Sequence, residues 1–430
     1  VESLPEPIKP GGSVSDNHPR EVLGPDARLA LTPAVTTCPS CGGADSAEFF
    51  HESRIPTNSV AFFEDRSDAI GIPQGSLRLR ACRDCGVVWN SDFDPALARY
   101  GAHHEESQGY SGHFAEFAAG LAEEWAQRYG LRDGRVIEVG CGKAEFLAMF
   151  CTTTGASGIG IDPAARLDRV AESARSRLTL VTESFDERSA DVAGDALICR
   201  HTLEHIPDVG VFLGNVGRWA ERHPGAPVLF ELPDVQRVFD EVAFWDVYYE
   251  HCSYFTQASL VAAFERAGLA VLDCRLVYDD QYLVIEAVAG DREAPVPGAG
   301  ASVLESGRRF ASAFVEQTAQ CEANLAVLAR DGSKVAIWGA SSKGSALLNT
   351  IGSPDRVAYA VDINPNMRGK HMVGTGHQVR APRDMVDDPV GSVIVMNPVY
   401  RAEIAATLES LGLAPRLFTI NELLTTQVAA

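Results

Sequence analysis

No stretch of this 430-residue chain holds the ~18–20 consecutive apolar residues that a membrane-spanning helix requires. A basic patch followed by an apolar segment is also missing at the N-terminus, so no secretory signal is read there. Both absences lead us to expect a soluble, cytoplasmic protein with no membrane partner. Positive charge is scarce too: 37 Lys and Arg stand against 58 Asp and Glu, for a net charge of −21. A phosphate backbone calls for a basic stripe, so charge argues against a nucleic-acid partner. An anionic small molecule remains open if basic residues gather locally. With 46% hydrophobic and 22% charged residues, the composition is that of an ordinary globular protein, long enough for two or three domains.

Residues 1–35 are rich in Pro, Gly and polar residues and read as a mobile tail. Residues 36–100 carry cysteine pairs and short strand-like runs. From about residue 101 to 290 helix and strand patterns alternate: "HFAEFAAGLAEEWAQRY" as an amphipathic helix, then "RVIEV", "SGIGI", "LTLV", "DALIC" and "PVLFE" as buried strands, closed by "AVLDCRLV" and "YLVIEAV". Such alternation predicts a parallel sheet covered by helices on both faces. The linker composition of "AGDREAPVPGAGA" opens a second unit, residues 291–430. There Val303, Phe310, Phe314, Cys321, Leu325 and Leu328 mark one stripe of a long helix, followed by the strands "KVAIW", "VAYAVD", "SVIVM" and "RLFTI".

Four of the ten cysteines form two C-x-x-C pairs, "CPSC" (Cys38, Cys41) and "CRDC" (Cys82, Cys85). Disulfide frameworks belong to small secreted domains, so metal ligation is the better reading. Four thiolates can close a tetrahedral shell around Zn²⁺, and a closed shell makes the metal structural. In "VIEVGCGKAEFL" a strand runs into a turn with Gly140 and Gly142, then a helix whose N-terminus offers free N–H groups. Glu138 precedes the turn, and Asp162 ends the next strand in "GIGIDP", where an acid can take ribose hydroxyls. This pattern alone leaves a nicotinamide cofactor and S-adenosylmethionine both open.

The continuation "DALICRHTLEHIPDV" resembles class I methyltransferases. The ordered set of four cysteines, "EVGCGKAEF", "RHTLEHIPD", "YYEHCSYF" and "WGASSKGSALLN" is similar to one branch of them over roughly residues 36–425. That branch comprises zinc-bearing C-methyltransferases with two α/β domains, which act on nucleotide-linked deoxysugars of secondary metabolism. The resemblance implies a Rossmann-like methyltransferase sheet between a small zinc-binding domain and a second Rossmann-like domain that contributes to acceptor binding. It implies S-adenosylmethionine and Zn²⁺ as cofactors, with a chain acting as monomer or homodimer. Glu138, Gly140 and Gly142 would hold the donor's methionine part, Asp162 its ribose, and Ser184 and Phe185 its adenine. Arg200 and His201 would face donor and acceptor. His205 reads as a packing or capping residue.

The stretch "FWDVYYEHCSYF" sets Tyr248, Glu250 and His251 among hydrophobes. The family carries a similar Tyr-x-Glu-His segment, usually with histidine where this chain has Tyr249. Methylating carbon requires removing a weakly acidic C–H beside a carbonyl, and histidine is the usual base. The resemblance therefore implies His251 as base, Glu250 as the carboxylate orienting it, and Tyr248 with His201 steadying the enolate oxygen. Tyr249 bears on the acceptor's identity. Tyr110 in "SQGYSGHF" becomes an acceptor contact. In "VAIWGASSKGSALLN" a turn and a helix start offer an anion site at Ser341 and Lys343, joined by Arg368 from "DINPNMRGKH". Together these would take the diphosphate. Two other readings share the sequence: a methyltransferase of a non-sugar metabolite at C, O or N, and a non-catalytic binding protein with a zinc knuckle.

Overall fold

The computed structural model describes residues 35–98, 103–290 and 299–425; the N-terminal tail and most of the linker expected from sequence lie outside them. The first layer is a small antiparallel sheet of β1 (Ser46–Pro56), β2 (Gln74–Cys82) and β3 (Val88–Asn90). Its two cysteine knuckles are built alike. Gly42 and Gly86 take φ of 73° and 75° and donate N–H back to the carbonyls of Cys38 and Cys82 at 2.9 and 3.0 Å. A side chain at such φ is strained, which explains glycine after each pair.

The central layer is a seven-stranded sheet. Its parallel strands are β4 (Arg135–Val139), β5 (Ser157–Ile161), β6 (Leu178–Val181), β7 (Ala196–Arg200) and β8 (Val228–Pro233). After a two-residue strand β9 (Ser253–Tyr254), β10 (Leu269–Val277) and β11 (Tyr282–Ala289) complete it, in the order β10-β11-β8-β7-β4-β5-β6. The expected parallel sheet is thus mixed: β10 and β11 run antiparallel because a tight turn, with Tyr278, Asp279 and Asp280 at positive φ, leaves no room for a crossover helix. Helix α1 (Gly112–Tyr129) starts at the Ser111 hydroxyl, which accepts from Phe114 N at 3.3 Å, and ends at left-handed Gly130. Its buried face, Phe114, Ala118, Leu121, Ala122 and Trp125, follows the 3.6-residue period.

The third layer is a five-stranded parallel sheet. It contains β12 (Val335–Trp338), β13 (Val357–Val361), β14 (Val379–Arg380), β15 (Ser392–Val395) and β16 (Arg416–Thr419), ordered β14-β13-β12-β15-β16. The long helix Ala299–Leu328 precedes it. One apolar cluster joins the layers: Leu77 and Leu79 of β2, Phe239, Phe244 and Trp245, Phe310 of the long helix, and Leu347 and Leu348 beside the third sheet. The hydrophobes around Tyr248–His251 are therefore the plug at which three layers meet. Trp245 is fully buried there, and Trp245→Ala would cost about 3–5 kcal/mol. Strand β9 pairs with β3, so the segment is also sewn to the cysteine-bearing sheet. Among the described residues no helix is long and apolar enough to cross a membrane.

Candidate active site

One cavity of about 1350 Å³ opens where the C-terminal ends of the two parallel sheets face each other. Its first wall begins at the turn after β4. Gly140 (φ 73°) donates to Ile161 O at 2.9 Å, and an added Cβ would lie 2.0 Å from Thr202 Oγ1. Gly142 N donates to Asp162 Oδ2 at 3.1 Å, and Ala164 N to Oδ1 at 2.6 Å, so two backbone amides fix the carboxylate at the strand end. Glu138 is buried with Oε2 unpartnered, and burial pushes its carboxyl up to about 8. A buried carboxyl on the cavity wall with one oxygen unpartnered suits a hydrogen-donating or cationic ligand group. Ser184 and Phe185 line the same wall, and Phe185 also packs on Phe212 as core.

Arg200 and His201 leave the end of β7 together. Arg200 lies over the Phe146 ring at 4.0 Å and donates to Glu231 Oε2 at 2.6 Å. His201 sits at φ 45°, a strained conformation for this residue type, and its Nε2 is 3.0 Å from Glu231 Oε1. Burial alone would depress its pKa, but Glu231 and Glu204 outweigh burial and hold it at about 9. The ring is an imidazolium at neutral pH. Burial likewise opposes ionisation of Glu231, yet Arg200 and His201 bring its carboxyl down to about 2.

His251 lines the cavity edge-on to Tyr248 (4.7 Å between centroids) and to His205 (4.8 Å). Among the described residues no hydrogen bond engages its ring nitrogens. Burial, then His205, pushes its pKa down to about 3, so the ring is neutral. The orienting role expected of Glu250 is not what the geometry gives. Glu250 Oε1 accepts from Ser59 N at 2.7 Å and from the Ser59 hydroxyl, because the loop before residue 62 folds over it. The acid beside His251 is Glu204: ligand atoms of Glu204, His205 and His251 lie within 4.8 Å of one another. Tyr248 lines the cavity but donates its proton to Asp246 Oδ1 at 2.7 Å. Tyr249 does not line the cavity. Its hydroxyl accepts from Asp94 N at 2.8 Å, and its ring lies where a Cβ on Gly75 would be 2.1 Å away. The departure at this position is an internal packing pair and carries no information about the acceptor.

The opposite wall repeats the backbone of the first. Gly339 N donates to Val361 O at 2.9 Å, and Ala340 N to Asp362 Oδ2 at 2.9 Å. Ser341 and Lys343 follow at the start of the helix Ser342–Thr350, and Gly339, Ser341, Lys343 and Asp362 line the cavity. Lys343 pairs with the buried Asp246, which also takes Arg237 Nη2 at 2.6 Å. Two cations thus share one buried carboxylate. Burial opposes the ionisation of Asp246, but Lys343 and Arg237 hold it well below the usual carboxylate range. Arg368 is not part of this wall: its side chain is 59% exposed and paired with Asp384. Tyr110 does reach the cavity, and its hydroxyl is 2.7 Å from Asn366 Nδ2 and 3.3 Å from Arg169.

The four cysteines converge. Cys38–Cys85 and Cys41–Cys82 sulfurs are 3.6 Å apart, and all four lie within 4.8 Å. A tetrahedron with Zn–S of about 2.3 Å has sulfur edges of about 3.8 Å. The donor set and spacing fit a closed Zn²⁺ shell. Gly210 N donates to Pro39 O at 2.9 Å, so the first knuckle docks on the helix Val209–Arg222 of the central layer.

Sequence reasoning missed Glu204, Glu231, Asp246, Arg237, Asp362 and Ser59, and it set His205 aside as packing. One of these was findable. Gly142 and Asp162 are 20 residues apart and Ala340 and Asp362 are 22, the same strand–turn–helix–strand spacing. Residues 112–273 match a methyltransferase domain family, and residues 298–414 match the C-methyltransferase C-terminal domain. The C-methyltransferase NovU of Streptomyces niveus is 28% identical over 367 residues, covering 81% of this chain and 86% of that one. Among solved structures, a Burkholderia thailandensis 1,6-didemethyltoxoflavin-N1-methyltransferase with bound S-adenosylhomocysteine is 17% identical, covering 43% of this chain and 83% of its own, with a TM-score of 0.33. The magnesium protoporphyrin IX methyltransferase of Synechocystis, also with S-adenosylhomocysteine, is 13% identical over 42% of this chain and 84% of its own, TM-score 0.32.

Proposed function

This chain is a class I S-adenosylmethionine-dependent C-methyltransferase, and we propose that it methylates a carbon next to a keto group of a nucleotide-linked deoxysugar. S-adenosylmethionine, when bound, supplies an electrophilic methyl group. In this reading Glu138, Gly140 and Gly142 hold its methionine part, Asp162 its ribose, Ser184 and Phe185 its adenine, and Arg200 closes the wall beside it. The nucleotide of the acceptor takes the second crevice, with its diphosphate near Ser341, Lys343 and Arg237. Arg368 drops out of that role.

His251, neutral and unengaged, takes the proton from the acceptor carbon, and the C–H electrons move into an enolate. The His201 imidazolium faces the developing negative charge; Tyr248, whose hydroxyl hydrogen goes to Asp246, packs edge-on to His251 and drops out of the enolate role. The carbon then attacks the methyl group; the new C–C bond forms as the S–CH₃ bond breaks with its electrons to sulfur. The proton leaves His251 to solvent on product release. Glu250 keeps the segment seated through Ser59. The observation that carries this reading is the placement of His201 and His251 in one cavity between two Gly-turn/Asp crevices. Incubation with the donor and a panel of 4-keto nucleotide sugars in deuterated water tests it. Methyl gain, with deuterium exchange at the adjacent carbon, is expected; neither event with any member of the panel would sink the sugar assignment. We also propose a structural zinc at Cys38, Cys41, Cys82 and Cys85, for which elemental analysis should give one zinc per chain.

A further inference from the structure

The 3₁₀ turn Leu203–His205 carries a carboxylate that the scheme above leaves idle. Glu204 is 2% exposed, and its Oε2 is sealed from solvent with no hydrogen-bond partner. An ionised, half-satisfied carboxylate in the interior is costly unless positive charge faces it. Around it stand three imidazoles. His201 Nδ1 is 3.6 Å from Oε1, and ring nitrogens of His205 and His251 lie within 4.8 Å of the carboxylate. Other titratable groups facing this cluster include the thiols of Cys199 and Cys252, His104 and the Glu250 carboxyl on the His205 side, and Asp246, Tyr248 and Tyr254 on the His251 side.

These imidazoles are not equivalent. His201 already has Glu231 as its counter-ion at 3.0 Å. His205 Nδ1 is 3.0 Å from the carbonyl oxygen of Glu250; a carbonyl only accepts, so Nδ1 carries the hydrogen. His251 has no hydrogen-bond partner of its own among the described residues, and it lies where a proton must arrive during carbon deprotonation. A buried ring that gains a proton needs an opposite charge at hand.

We propose that Glu204 is the positioning carboxylate of the acceptor site: it orients the His251 ring and supplies the counter-charge for the proton that His251 takes. The inference rests on His251 being the base, but not on the acceptor being a sugar. The sequence motif L-E-H thereby joins the Tyr-x-Glu-His segment across the cavity, and Glu250 becomes a strut.

The test uses the full-length protein, ¹⁵N-labelled at histidine and saturated with S-adenosylhomocysteine, as wild type, Glu204→Gln and Glu204→Asp. In the wild type the ¹⁵N spectrum should show one fixed His251 tautomer. Glu204→Gln should change that tautomer signature while leaving affinity for S-adenosylhomocysteine within about threefold, and Glu204→Asp should restore it. With an accepted substrate, Glu204→Gln should lower kcat about 100–1000-fold with KM nearly unchanged, and Glu204→Asp should recover at least tenfold of that loss. A His251 tautomer that is already mixed in the wild type overturns the proposal, and that measurement needs no variant to fold. So does an unchanged His251 spectrum in Glu204→Gln. A second metal equivalent per chain, lost in Glu204→Gln, also overturns it, because the carboxylate would then be a metal ligand. Failure of the sugar panel with the tautomer result intact would overturn only the acceptor assignment.

Discussion

The two crevices of the cavity share a backbone and differ in charge. In each, a glycine turn after the first strand donates an N–H to an aspartate closing the second: Gly142 to Asp162 on one side, Ala340 to Asp362 on the other. Beyond the turn they diverge. The first crevice holds Glu138, a carboxyl that burial pushes up to about 8. The second crevice holds Lys343 and Arg237 around a single buried carboxylate, Asp246. A strand–turn–helix start is a general device for presenting amides and one acid. Which molecule it takes is set by side chains a few residues away, here a buried carboxyl in one crevice and a Lys–Arg pair in the other.

Breaking the donor turn should have the largest effect. Gly140→Ala adds a Cβ at φ 73° that would lie 2.0 Å from Thr202 Oγ1. Affinity for S-adenosylhomocysteine should fall at least 100-fold by calorimetry, about 2.7 kcal/mol. Exchanging damage between the crevices sharpens the comparison. Asp162→Asn should weaken donor binding about tenfold or more and leave acceptor KM unchanged, whereas Asp362→Asn should do the reverse. Equal losses of both ligands from either variant would mean the crevices are not separate subsites.

The charge between the crevices should appear in stability against pH. The folded pKa of His201, at about 9, is above its unfolded value of about 6.5. Its contribution is therefore fully present below the unfolded value and is lost as pH rises through about 9. Wild type should lose on the order of 2 kcal/mol between pH 6.5 and 9.5 by denaturant titration, and His201→Gln should flatten that slope. Glu231 works in the opposite direction: its stabilisation, present above its unfolded pKa, is lost as pH falls through about 2. The smallest effect is expected outside the second crevice. Arg368→Ala removes only an exposed pair with Asp384 and should change acceptor KM less than twofold.

Much of the fold was legible because its signals are local. "RVIEV", "SGIGI" and "LTLV" are strands over the residues read as such, since a buried parallel strand is an apolar run between helices. The first crevice was legible for the same reason: glycines, strand end and acid fall within one βαβ unit. The acceptor side was only half legible. Tyr248, Glu250 and His251 do gather at the cavity, but the partners expected of them were neighbours in the chain, and the partners they have are not. Glu250 binds Ser59, 191 residues away, and Lys343 binds Asp246, 97 residues away.

Composition and spacing alone determined the two α/β units, the glycine turns and the cysteine knuckles, because each follows from residues within a few turns of one another. Only the tertiary structure decided which acid faces His251, that Tyr249 packs on Gly75, and that Arg368 faces solvent. A buried charge settles with whatever opposite group the folded layers bring within reach, and that depends on how three separate sheets close on one cavity.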